Sequence, residues 1–198
     1  MTRKTPPPGK PEEQATWIAE EEFGLLFSEW KERISRTMDA EEEAAPSRRS
    51  VWALVGIKRR GAVLARRLWK ALNTEKRPLL YGEIDISLYR DDYHLQTEKA
   101  MVLGTEITFR VDGVKVLLVD DVLYTGRTVR AAMDLVLDFG RPRVIALAVL
   151  LDRGHRELPI AADIVGKVVD TQREDRVFVR LLEMGEEDGV DLIRSPGG

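Results

Sequence analysis

Cysteine is absent, which removes disulfides, thiolate nucleophiles and cysteine-based zinc sites together and suits a reducing compartment. Only two histidines occur, His94 and His155, too far apart for metal-ligand spacing. The longest apolar run, Val144 to Leu151, falls far short of the roughly 18 residues that would suggest a membrane span. The opening Met-Thr-Arg-Lys-Thr-Pro-Pro-Pro-Gly-Lys-Pro lacks the apolar stretch of a signal peptide. Neither a Walker A pattern nor Gly-x-Gly-x-x-Gly occurs, so those nucleotide-binding schemes are poor fits. Net charge is only −3, and any polyanion site must therefore be a local patch. These absences point to a cytoplasmic protein without membrane contact.

What is present suits one domain with a sizeable core: 198 residues, 43% hydrophobic and 33% charged. Residues 1–14 read as a disordered extension rich in proline and lysine. Phe23, Leu26, Phe27, Trp30 and Ile34 trace one face of an amphipathic helix. Asp39 to Ser50 reads as an acidic linker, and Trp52 to Ile57 as a buried strand. Leu64, Ala65, Leu68 and Leu72 mark a second helix. Leu79 to Tyr89 is extended, and the charged stretch Arg90 to Glu98 predicts an exposed, mobile loop. Further strands are expected at Val144–Leu151, Ile164–Val169 and Val177–Leu182, before a solvated acidic tail over residues 183–198. Continuous apolar strands alternating with helices predict an α/β domain over residues 15–182 with a parallel central sheet flanked by helices.

The decisive segment runs from Val116 to Thr128. An apolar strand meets two adjacent acids, Asp120 and Asp121, followed by Val122, Leu123, Tyr124 and the turn Thr125-Gly126-Arg127-Thr128. A helical pattern follows at once through Val129, Ala132, Met133 and Val136. Such a strand–loop–helix places the loop at the carboxyl edge of a sheet, where open α/β folds bind ligands. Amides at a helix start attract phosphate, and Gly126 permits close backbone approach. The two acids cannot favour phosphate, so they are expected to face sugar hydroxyls or Mg²⁺. Carboxylates for a diol beside a nest for one phosphate describe a ribose-5-phosphate site. A signalling receiver domain also carries adjacent acids after an apolar strand, but near its start and with no use for Arg127 and Thr128.

The run Val-Asp-Asp-Val-Leu-Tyr-Thr-Gly-Arg-Thr-Val-Arg-Ala-Ala-Met-Asp resembles the phosphoribosyl-pyrophosphate (PRPP) loop of type I phosphoribosyltransferases. Its wording is similar to the PyrR branch, bifunctional pyrimidine operon regulators and uracil phosphoribosyltransferases. Leu54–Gly61, Gly82–Asp92 and Ala148–Ile160 fit that branch in the same order, so the resemblance covers roughly residues 51 to 179. It implies a small hood beside the central sheet, assembly as a homo-dimer or tetramer, and uracil + PRPP giving UMP + pyrophosphate with Mg²⁺ carried by PRPP. Asp120, Asp121 and Arg90 would act in catalysis, Arg90 from a flexible flap. The turn Lys58-Arg59-Arg60-Gly61 would meet pyrophosphate, although relatives commonly have Thr where this chain has Arg59. Residues 122–128 would hold the phosphoribosyl group, and Arg153 with the backbone near Val177 the pyrimidine. Tyr124, where purine-type relatives usually place an acidic base, would be a poor base near neutrality, which argues against a 6-oxopurine. The regulatory half would bind a pyrimidine-operon messenger RNA leader in response to UMP, through His155, Arg156 and Lys167. Against that, Glu12–Glu43 carries eleven acids to three bases, and Ala161 stands where a basic residue is expected. The alternatives are an RNA regulator with little enzymatic activity, or a phosphoribosyltransferase for another base such as orotate or a purine.

Overall fold

The computed structural model describes residues 13–44, 51–87 and 104–195. In chain order the elements are β1 (Glu13–Ile18), α1 (Glu20–Ala44), β2 (Trp52–Ile57), α2 (Arg60–Leu72), β3 (Leu80–Ile84), β4 (Lys115–Leu123), α3 (Arg127–Asp138), β5 (Val144–Asp152), β6 (Ile164–Val168), β7 (Arg176–Arg180) and β8 (Gly189–Arg194). Five strands form a parallel sheet in the order β3-β2-β4-β5-β6, with β4 central. All six residues of β2 and the first six of β4 are buried, as continuous apolar strands between two helical layers should be.

The sheet divides the core in two. On one face Leu54, Leu117, Val119 and Leu150 meet Leu64 and Leu68 of α2 and Phe23, Trp30 and Ile34 of α1. On the other, Val55, Leu118 and Val149 meet Val129, Ala132 and Val136 of α3. Helix α1 also guards the open edge of the sheet. Trp30 Nε1 lies 3.5 Å from the Ile164 carbonyl, and Arg33 Nη1 donates to the Val165 carbonyl at 2.8 Å. Side chains that occupy edge carbonyls blunt a strand that would otherwise invite pairing.

Three expectations need correction. Helix α1 runs through Asp39 to Ala44 where a linker was expected, because Met38 is buried and Glu41 pairs with the buried Lys115 at 2.8 Å. The extension expected to reach residue 14 gives way at Glu13 to β1. The segment after Glu183 does not end as a solvated tail: β8 lies in the middle of a second, three-stranded antiparallel sheet, β1-β8-β7, with Val190 and Leu192 buried. This sheet is the hood. It is fastened to α2 through Arg67, which bonds both Glu183 and Asp188. No helix among the described residues is long and apolar enough to cross a membrane.

Candidate active site

Strand β4 delivers the acid pair to the carboxyl edge of the sheet and continues to Leu123 before turning into α3. Gly126 caps that helix at φ 91°, a left-handed conformation open to glycine. A side chain there would also press on Ile160 at 3.3 Å. Gly126 offers no capping side chain; the Arg127 amide reaches Thr125 Oγ1 at 3.4 Å, and the helix start faces the loop. A cavity of about 350 Å³ lies against them, lined by Ile86, Val122, Leu123, Tyr124, Thr125, Gly126, Arg127, Thr128, Val129 and Ala131. Its size falls in the range of small-ligand pockets. The loop rests on the segment after β5: Glu157 and Leu158 donate backbone N–H groups to the Thr125 carbonyl, and Arg127 Nε donates to Glu157 at 2.9 Å.

Asp120 is only 6% exposed, and its Oδ1 accepts the Asp121 amide at 2.9 Å. Burial pushes its carboxyl well above the ordinary carboxylate range, and the neighbouring Asp121 charge adds to this. Burial raises Asp121 as well, while the bond to Asp120 and the nearby Arg60 charge pull it back. A raised carboxyl pKa means that the fold binds the proton more tightly than the unfolded chain does. The stability it contributes is full below the unfolded value of about 3.9 and is lost as pH rises through the folded value. Asp120→Asn, which keeps the acceptor and cannot ionise, is therefore expected to melt higher than wild type once the pH has risen past the ordinary carboxylate range. The gap should close as pH is lowered, and thermal scans across pH that show no gap would contradict the assignment.

The turn from β2 to α2 brings the expected Lys58–Gly61 beside this pair. Gly61 is pressed against β4: a Cβ there would lie 2.5 Å from the Val119 carbonyl and 3.0 Å from Asp120 Cα. The Lys58–Arg59 peptide is cis, and Arg59 is exposed. Lys58 turns away toward acids, 3.4 Å from Glu83 and 3.7 Å from Glu106, and also donates to the Gly104 carbonyl. Arg60 Nε donates to the Val179 carbonyl of the hood at 2.6 Å.

Glu83 went unnoticed in the sequence. It is 7% exposed and takes bonds from Tyr81 and Arg66 besides the Lys58 charge. Burial works to raise its carboxyl, yet the Tyr81 and Arg66 bonds hold it below the usual range. Burial, then the Glu83 bond, pushes the Tyr81 hydroxyl up to about 12. The available signal was an acid inside an apolar strand with the arginine-rich α2 alongside.

Arg153 is 6% exposed and lies 4.1 Å over the Tyr124 ring. It donates to Thr171 Oγ1 and to the Gln172 carbonyl, and Tyr124 Oη donates to the Arg173 carbonyl at 2.8 Å. Tyr124 is thus held by the Arg153 stack and by its hydroxyl bond. The segment 171–173 is thereby drawn against the loop. Val177 is half-buried in β7 and packs on the core.

The three residues expected at an RNA face are engaged within the protein. His155, at φ 58°, has its ring nitrogen 2.8 Å from the Thr171 carbonyl. Arg156 donates to the carbonyls of Leu123, Tyr124, Gly154 and Ile160 and pairs with Asp152. Lys167 pairs with Glu22 of α1 at 3.0 Å, on the surface. Arg90 and His94, and with them the expected flap, lie outside the described residues.

Comparison with known proteins agrees with this geometry. Residues 29–182 match the phosphoribosyl transferase domain. The bifunctional protein PyrR of Roseiflexus sp. is 55% identical over 145 residues, spanning 72% of this chain and 79% of that protein. The bifunctional protein PyrR of Listeria monocytogenes is 58% identical over 145 residues, spanning 71% and 79%. Among solved structures, the HGPRT-ase of Leishmania tarentolae in complex with GMP superposes with a TM-score of 0.63 at 15% identity, covering 93% of this chain and 97% of that one, a likeness of fold.

Proposed function

The chain belongs to the phosphoribosyltransferase family, in the branch of the bifunctional PyrR proteins, and we propose on that premise that it transfers the phosphoribosyl group of PRPP to uracil, giving UMP and pyrophosphate. The observation that carries this reading is the juxtaposition at the end of β4: a desolvated acid pair, then a glycine-capped helix start facing a cavity of about 350 Å³.

The amides and hydroxyls of Thr125–Thr128 hold the 5′-phosphate. Asp120 and Asp121 take the ribose diol, and their charge favours the cationic, oxocarbenium-like sugar that forms as the bond to pyrophosphate breaks. Mg²⁺ arrives with PRPP, as phosphoribosyltransferases generally use it, and offsets the diphosphate charge; the acid pair suits an outer contact to that ion. Arg60 and the turn around it receive the leaving pyrophosphate. Uracil lies against the wall built by Arg153 and Tyr124, and its ring nitrogen forms the new bond to the anomeric carbon after losing its proton. Positioning and charge stabilisation supply the acceleration without a covalent intermediate.

A second activity, UMP-responsive binding of a pyrimidine-operon RNA leader, is supported at one residue in particular. The Lys167–Glu22 pair is about half exposed on both sides, and such surface pairs hold weakly enough for an RNA phosphate to compete. Arg156, enclosed by carbonyls, shapes that face from within. The test is a panel of uracil, orotate, hypoxanthine and guanine with PRPP and Mg²⁺, alongside gel-shift titration of leader RNA with and without UMP. Uracil alone should give nucleotide, and UMP should tighten the RNA complex. Turnover of a purine in preference to uracil would reject the enzymatic reading, and no shift at moderate salt the regulatory one.

A further inference from the structure

The hood places one aromatic ring against the Lys58–Gly61 turn, and the reaction does not use it. On β7 the side chains of Val177 and Val179 pack against the core, so strand alternation sends Phe178 to the opposite face. There it is 38% exposed, and Arg60 lies flat upon it, the guanidinium carbon 3.8 Å from the ring centroid. The next residue of the strand, Val179, takes the Arg60 Nε bond at 2.6 Å. Ring and carbonyl together fix the plane and the pivot of the guanidinium. The two terminal nitrogens of Arg60 make no bond to a protein group among the described residues. The neighbouring Lys58 is already occupied by Glu83 and Glu106.

We propose that Phe178 is a positioning residue: it holds Arg60 ready, with its terminal fork open, as the receptor for the pyrophosphate group. The inference rests on the phosphoribosyl-transfer reading above and goes beyond it, because it gives a hood residue a role in leaving-group recognition. A long flexible arginine loses rotamer freedom each time it grips an anion. Here that freedom is already gone before the ligand arrives. A planar fork with both terminal nitrogens available matches two oxygens of a diphosphate, which a lysine ammonium does not. The ring also screens one face of the cation from water, where a cation–π contact is strongest.

Calorimetric titration of the full chain with inorganic pyrophosphate plus Mg²⁺, and separately with UMP, tests this. Phe178→Leu keeps an apolar side chain and removes the ring. It should weaken pyrophosphate by about three- to tenfold, as a partly exposed cation–π contact would, while UMP binding stays within about twofold of wild type. Phe178→Tyr should retain pyrophosphate affinity. Arg60→Lys should show the same selective loss as Phe178→Leu, which guards against misreading a folding defect, and melting curves for each variant complete the control. Unchanged pyrophosphate affinity in Phe178→Leu overturns the proposal. So does an equal loss of pyrophosphate and UMP, which would make the ring a wall for the base or a prop of the fold. Wild type that binds UMP but not pyrophosphate rejects the proposal together with the role of the turn, whereas wild type that binds neither rejects the reading of the whole site.

Discussion

Asp121→Asn is expected to lower kcat for UMP formation by about a hundredfold to a thousandfold, the scale on which removing one preorganised charge-stabilising group acts, while the protein stays folded. The expectation follows from where the carboxylate sits. It is half-buried at the end of β4 beside the deeply buried Asp120, with Arg60 near enough to draw its pKa down against burial. In that setting a negative charge acts on the ribosyl cation with little water to dilute it. Asparagine retains an acceptor for a sugar hydroxyl but brings no charge, so the loss should fall on kcat more than on KM. The pH profile gives an independent check. Because both acids titrate above the usual carboxylate range, kcat/KM in wild type should fall on the acid side at a pH above the ordinary aspartate value. A variant with wild-type kcat/KM would remove the carboxylate from the chemistry.

The second large effect is expected from Gly61→Ala. One methyl group would lie 2.5 Å from the Val119 carbonyl, 3.0 Å from Asp120 Cα and 3.1 Å from Asp120 Oδ1. Neither backbone can yield alone, since β4 is the central strand and α2 packs on it through Leu64 and Leu68. The first turn of α2 must therefore lift from the sheet. Overpacking of this kind costs about 1–3 kcal/mol, a fall of several degrees in Tm for a chain of this size. Activity should suffer more than stability does. The lift carries Arg60 and the rest of the Lys58–Gly61 turn away from the acid pair, and misplacement by about 1 Å can cost two orders of magnitude in rate. Differential scanning calorimetry paired with kcat/KM measures both. A variant that melts and turns over as wild type does would show that helix and strand are not in the contact described.

The catalytic half of the molecule was legible because its signals are local. Trp52–Ile57 is buried from end to end and Val144–Leu151 is buried from Leu147 onward, so uninterrupted apolar residues announce them. The Asp120–Thr128 loop carries acids, glycine and hydroxyls in one short run. The hood was not legible, for the opposite reason. Strand β1 reads Glu-Gln-Ala-Thr-Trp-Ile and β8 reads Gly-Val-Asp-Leu-Ile-Arg. Neither has enough apolar length to declare itself, and the partner of Glu13 is Arg194, at the far end of the chain. Acidic composition after Glu183 suggested a solvated tail, yet Asp191 is 5% exposed and Asp188 is bonded to Arg67. The extent of α1 was hidden in the same way. Its last turns hold Glu41, Glu42 and Glu43, and only the buried Lys115, distant in sequence, explains why a helix continues there. The Arg60–Phe178 stack likewise joins two segments that no spacing rule connects.

The order in which the hood strands leave the ribosome has a bearing on biosynthesis. The five-stranded sheet needs nothing beyond β6, whereas the hood takes its outer strands from residues 13–18 and 176–180 and its middle strand from 189–194. During translation the earliest strand therefore waits, unpaired, until residues 189–194 have emerged. A nascent chain stalled before Gly189 would carry a finished Asp120–Thr128 loop beneath an unbuilt roof, with two bare strand edges free to pair with whatever passes.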